Sequence, residues 1–216
     1  MEVYIDDMVV KSKEEQSHIA DLEKTFGILR KYRMKLKASK CAFGIDSGKF
    51  LSYIVNHRGI EANPRQVTAI LKLGSPRLVK EVQKLMGMAP TLNKFISRST
   101  DRCRQFFQTL RQGKAFEWSA ECESAFNGLK TYLRLVPLLT TPAAGEPLIL
   151  YLAVSDRAVS AILLKEEEGE QRPVYYVSKA MVDAETRYLL LEKLILVLVT
   201  AARKLMYYFQ GHSIGV

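Results

Sequence analysis

Cysteine is scarce in this chain: Cys41, Cys103 and Cys122 are all there is, an odd number at wide spacing. That suits neither a disulfide framework nor a zinc site, and the expectation is three reduced thiols. Long apolar runs are also missing. No stretch approaches the roughly 18 uncharged apolar residues of a membrane span. The start of the chain has neither a basic leader nor a signal-like apolar segment, so an intracellular setting is expected. The three histidines, His18, His57 and His212, are scattered without the spacing of a metal site or a nucleophilic dyad. Acidic residues are too few to balance the basic ones, 23 against 32, for a net charge of +9. Such an excess suits a polyanionic partner. What remains is ordinary for a globular protein: 48% hydrophobic and 25% charged residues in a chain of 216, enough for one large domain or two small ones.

Two short β-prone runs, Val3–Ile5 and Met8–Val10, flank Asp6 and Asp7, which reads as a hairpin with the aspartates at its bend. His18, Leu22, Phe26 and Leu29 then form the stripe of an amphipathic helix ending near Lys31. A second hairpin is expected around the turn signal Asp46-Ser47-Gly48. From Asn63, a capping residue followed by Pro64, to Leu135 the pattern is a string of helices. One of these carries Lys94, Arg98, Arg102, Arg104 and Arg111, and another opens at Ser119. Pro137, Pro142 and Pro147 mark a linker. Beyond it, three strands (148–154, 158–164 and 173–178) precede a long helix from about Ala184 to Phe209 and the start of a fourth strand at Ser213.

Two adjacent carboxylates repel each other unless cations sit between them or water surrounds them. An isolated Asp-Asp pair is a solvated turn in most sequences. Here the flanks carry more. Tyr4-Ile5-Asp6-Asp7 resembles the Tyr-x-Asp-Asp box of reverse transcriptases. "HIADLEKTFGILRKYRMKLKASKCAFG", "GKFLSYIVNHRGIEANP", "FEWSAECESAFNGLK" and "PVYYVSKAM" then follow in the order found in polyproteins of gypsy-type long-terminal-repeat retrotransposons, plant elements in particular. The resemblance spans essentially the whole chain.

The resemblance implies an α+β architecture in four parts. Residues 1–62 would be the C-terminal part of a polymerase palm, 63–136 thumb and connection helices, 137–147 a linker, and 148–216 an incomplete ribonuclease H-like βββαβ domain. It implies Asp6 and Asp7 as ligands of magnesium, completed by a palm aspartate from an upstream polymerase part. It implies Phe50, Leu51, Ser52 and Tyr53 as the hairpin that grips a primer end, where the family has glycine at the position of Ser52. Lys94 and Arg98 would contact an RNA/DNA template-primer or hybrid, although any single basic residue on such a helix is more often simply solvated. Glu192 matches the helix glutamate of ribonuclease H; on its residues alone it is equally a carboxylate paired with Arg187 or Lys193. Ala153 stands where the family has its first-strand aspartate, and Asp156 is a poor substitute. Ala153 and Glu192 are expected to lie close together. Three readings stay open: an enzyme fragment inactive alone, a non-catalytic nucleic-acid-binding module, and a decayed element without selected function.

Overall fold

The computed structural model describes residues 2–4, 7–12, 14–111 and 116–216. By its contacts the chain divides into two units, Met1–His57 and Arg58–Val216.

The first unit begins with a small antiparallel pair, β1 (Glu2–Tyr4) and β2 (Asp7–Val9), in which Tyr4 stands opposite Asp7. Asp7 therefore starts a strand, a correction to the bend expected for both aspartates; Asp6 lies outside the described residues. Helix α1 (Glu15–Lys31) follows, and of its expected stripe Leu29 is buried, with Thr25 beside it. The second hairpin is β3 (Gly48–Phe50) and β4 (Tyr53–Asn56), with Phe50 opposite Tyr53. Its turn is thus Leu51-Ser52 rather than Asp46-Ser47-Gly48. Both turn residues have positive φ, 48° and 70°, the pairing that a two-residue turn needs to match strand twist. Asp46-Ser47-Gly48 instead leads into β3.

The second unit opens with β5 (Gly59–Ala62), whose Ile60 exchanges hydrogen bonds with Leu139 (N···O 2.8 and 3.0 Å). Gly59 is required here, because a Cβ would stand 2.1 Å from the Leu139 carbonyl oxygen. The side chain of Asn63 accepts a hydrogen bond from Arg65 N at 3.0 Å and caps α2 (Pro64–Leu71), with Pro64 in the first turn as its sequence demands. Helix α3 (Val79–Met88) buries Val82, Leu85 and Met86, the three positions that its periodicity selects. The basic segment expected to form one helix is broken. A 3₁₀ stretch over Ala89–Phe95 gives way to extended backbone at Ile96, Arg98 adopts φ 51°, and only then does α4 (Ser99–Arg111) begin. Helix α5 (Ala120–Arg134), capped by Ser119, buries Cys122, Phe126, Leu129 and Leu133.

The proline-rich stretch is held in place. Leu139 and Thr140 are buried, and Thr140 N donates to the Pro173 carbonyl at 2.8 Å. After it come β6 (Leu148–Val154), β7 (Ala158–Glu167) and β8 (Glu170–Ala180), antiparallel neighbours. β7 and β8 run beyond their expected ends, because the acidic stretch between them reverses in a tight turn at Glu168 (φ 55°) and Gly169 (φ 80°). The long helix expected after β8 is three pieces: α6 (Asp183–Thr186), α7 (Leu190–Lys204) and α8 (Met206–Gly211), interrupted by extended Leu189 and by Leu205. The short strand β9 (Ile214–Gly215) pairs parallel with β6, completing the order β8-β7-β6-β9.

One face of this sheet makes a core with α7: Leu148, Leu150, Val159, Ala161, Leu163, Val174 and Val177 lie against Val197, Ala201 and Leu205. The 3₁₀ stretch and α4 are joined to β8 and to the turn after β6. Thr100 N donates to Ser178 Oγ at 3.2 Å, and Ser155 Oγ donates to Asp101 Oδ1 at 2.8 Å.

Candidate functional site

In the first unit, the structure joins two segments that the resemblance kept apart. The exposed carboxylate of Asp7 accepts a hydrogen bond from Leu51 N at 3.3 Å, across 44 residues of chain. That amide belongs to the left-handed turn of the second hairpin, where two residues with side chains hold a conformation that glycine adopts freely. The aspartate is thus a receptor for the backbone of the hairpin apex, a role no sequence signal announces because nothing local relates positions 7 and 51. A carboxylate has lone pairs beyond the one that Leu51 uses, so Asp7 keeps the donor chemistry a magnesium ion prefers. Among the described residues, however, no group of three or more His, Cys, Asp or Glu side chains converges. Asp7 alone does not make a cage.

Of the other hairpin residues, Phe50, Leu51, Ser52 and Tyr53 are all half-buried. Burial also pushes the Tyr53 hydroxyl above its usual range, so it stays protonated at neutral pH.

Lys94 and Arg98 do not share a helix face. Lys94 sits half-buried in the 3₁₀ stretch, its ammonium 5.5 Å from the centre of the Phe95 ring. Burial lowers its pKa to about 8. Arg98 is exposed at its left-handed position and is engaged by Asp101 (Nη2 to Oδ2 3.1 Å). A phosphate would therefore compete with Asp101 for Arg98. Arg102 stacks over the Tyr132 ring at 4.4 Å, with its Nε donating to the Ser97 carbonyl, a structural use of a residue that the sequence offers only as a positive charge.

The expected meeting of Ala153 and Glu192 does not occur. Side chains alternate along a strand, and Leu148 and Leu150 belong to the α7 core while Leu152 and Val154 flank it. Ala153 falls on the other face, with exposed Tyr151. On α7, the 3.6-residue period puts Glu192 about 140° around the helix from Val197 and about 180° from Ala201, so it points outward. Leu191, Ile195 and Val199 on that outer side are exposed with it. Glu192 Oε2 accepts from Leu189 N at 2.8 Å, closing the amino end of α7. This replaces both ion pairs that its neighbours suggested: among the described residues it forms none with Arg187 or Lys193. Asp156 occupies the exposed bend between β6 and β7. Ala153 offers no ligand atom and Glu192 faces away, so these residues do not fit a metal.

Two of the histidines are hydrogen-bonded, and His57 is exposed. His18 Nδ1 lies 3.0 Å from Ser12 Oγ, and His212 Nδ1 lies 2.9 Å from the Glu146 carbonyl oxygen.

Comparison with known proteins finds two families along the chain. The family "Reverse transcriptase (RNA-dependent DNA polymerase)" matches residues 1–55, and "RNase H-like domain found in reverse transcriptase" matches residues 118–216. The Pol polyprotein of transposon opus from Drosophila melanogaster is 28% identical over 97% of this chain and 22% of its own length. A Tf2-3 transposon polyprotein of Schizosaccharomyces pombe is 24% identical over 96% of this chain and 16% of its own length. The chain thus spans about a fifth of such relatives. Among solved structures, a foamy viral protease-reverse transcriptase in complex with double-stranded DNA superposes with a TM-score of 0.80 at 22% identity, over 99% of this chain and 38% of that one. Its complex with an RNA/DNA hybrid gives 0.79, over 95% and 28%. Among the described residues no helix is long and apolar enough to cross a membrane. The chain is accordingly similar to the reverse-transcriptase and RNase H-like region of retrotransposon Pol polyproteins.

Proposed function

We propose that this fragment, gypsy-type and plant-like in its motifs, holds an RNA/DNA template-primer or hybrid and performs no phosphoryl transfer by itself. Residues 1–62 act as the end of a palm, 63–136 as thumb and connection, 137–147 as the join, and 148–216 as a ribonuclease H-like body. The observation that carries the silent half of this reading is the outward, helix-capping Glu192 on one side of the sheet with Ala153 on the other. Nucleic-acid binding draws support from the +9 charge and from the two foamy viral complexes, which hold double-stranded DNA and an RNA/DNA hybrid.

In the polymerase half, Asp6 and Asp7 would hold magnesium together with a palm aspartate from another part of the enzyme. Bound there, the metal supplies a lowered pKa at the primer 3′ hydroxyl and charge neutralisation at the leaving pyrophosphate. What this chain contributes is position. The Asp7 carboxylate fixes the apex of the 48–56 hairpin through Leu51 N, and the Phe50 and Tyr53 pair, opposite one another in the register, frames the primer end.

A primer-extension assay tests the reading. The purified chain with template-primer, nucleotides and magnesium or manganese should give no extension, whereas templated extension that disappears in Asp7→Asn would refute the silent reading. Mixing in an upstream palm fragment should restore extension only if the two carboxylates keep their metal role.

A further inference from the structure

The residues after α1 form a surface that neither the palm assignment nor the carboxylates explain. Arg30, Lys31, Arg33, Lys35, Lys37 and Lys40 are all exposed. No acidic residue occurs anywhere from Lys24 to Ile45. Among the described residues, none of these six cations forms an ion pair with a carboxylate. Between the cations stand Tyr32, Met34 and Leu36, themselves 66%, 56% and 41% exposed. The helix dipole accounts for Arg30 and Lys31 at the end of α1. It does not reach Lys35, Lys37 and Lys40.

The backbone is shaped to present this stretch. Arg33 N bonds to the Arg30 carbonyl and Met34 N to the Leu29 carbonyl, at 3.1 and 2.9 Å, while Arg33 adopts φ 54°. This is the left-handed helix ending that glycine usually supplies without strain. The chain spends a strained backbone position on an arginine and so turns a run of alternating basic and apolar side chains into solvent. From there to the short 3₁₀ turn at Ala38–Lys40 it has no regular structure.

We infer that residues 30–40 are a track for the sugar-phosphate backbone of a single nucleic-acid strand. Extended chain advances about 3.3 Å per residue, so cations two residues apart, as at Arg33, Lys35 and Lys37, recur at about 6.6 Å along one side of the chain, a regular row of positive charge for a backbone that carries one phosphate per nucleotide. The exposed Tyr32, Met34 and Leu36 give bases an apolar surface to stack on, the combination that single-strand binders use. The inference rests on the proposed nucleic-acid-holding role and adds a location to it, outside the hairpin at 48–56 and outside Lys94 and Arg98.

The test is a fluorescence-anisotropy titration of the full chain with a labelled oligothymidylate between about 50 and 200 mM salt. The triple variant Arg33→Gln, Lys35→Gln, Lys37→Gln should lower the slope of log affinity against log salt by about 2 and weaken binding about tenfold, since each lost single-strand phosphate contact removes about 0.7 of slope. Lys35→Arg with Lys37→Arg should keep both. A second triple of equal charge outside the thumb-like segment, Arg157→Gln, Arg187→Gln, Arg203→Gln, all at exposed positions, should leave the slope nearly as it was. Circular dichroism confirms that each variant folds. Equal losses from the two triples overturn the inference, because only net charge would then matter. Absence of binding by the unaltered chain at low salt overturns the nucleic-acid role together with it. Binding to phosphatidylserine vesicles but not to the oligonucleotide overturns it in favour of a membrane surface.

Discussion

Ser52 holds φ 70° and Leu51 φ 48° at the apex of a hairpin whose amide is tied to Asp7. A non-glycine residue in that region costs roughly 1–2 kcal/mol, so Ser52→Gly should stabilise the chain by about 1 kcal/mol, read as a rise in the urea midpoint at unchanged slope. Asp7→Ala should work in the opposite sense, with faster hydrogen exchange at the Leu51 amide and little change in the exchange of α1. On the sheet, Ala153 is exposed on the face away from α7. Ala153→Asp should therefore fold with a stability change within about 0.5 kcal/mol and should still leave the RNA of a hybrid intact. Cleavage in that variant, abolished by Glu192→Gln, would show that the two positions meet after all.

At the scale of elements, capping and close approach decide. Asn63→Ala removes the acceptor for Arg65 N and should cost about 1 kcal/mol. Gly59→Ala should cost more, because the added carbon collides with the Leu139 backbone, which ties β5 to the proline-rich stretch; thermal denaturation of the two variants orders them. The first of these predictions follows from a signal legible in the sequence, the second from a contact between distant positions. Asn63-Pro64 announces a helix start, the apolar period over Val79–Met88 selects its three buried residues, and alternation gives β6 its limits. The failures have equally local causes. A break such as Arg98 at φ 51° or Leu189 in extended backbone carries no glycine or proline of its own, so periodicity runs straight through it. The Leu51-Ser52 turn lacks the usual glycine, and the nearby Asp46-Ser47-Gly48 took the signal. Of the candidate site, residue types were readable and orientation was not. Glu192 fits a motif by spacing, but whether it faces the sheet depends on which side of α7 the core occupies, and that is set by Leu148, Leu150 and their partners far away in the chain.

Across the whole molecule, titration and charge give the readouts. Burial holds Lys94 at about 8, below its unfolded value near 10.4. Between those values the unfolded chain binds the extra proton, so Lys94 contributes stability that rises with pH. Cys103, pushed up to about 11, and Tyr176, pushed up to about 12, act oppositely, losing stability above the pKa of their unfolded forms. The difference between the parent chain and Lys94→Met across pH 8 to 10 isolates the lysine: the parent should gain stability relative to the variant as pH rises. The +9 charge bears on the proposed holding of nucleic acid. The direct measurement is the affinity for a labelled RNA/DNA hybrid as a function of salt. Weak, sequence-independent binding is expected, with an affinity that falls steeply and linearly in log–log form as salt rises, through release of counterions. Affinity that does not change with salt, or no binding at about 50 mM salt, would contradict it.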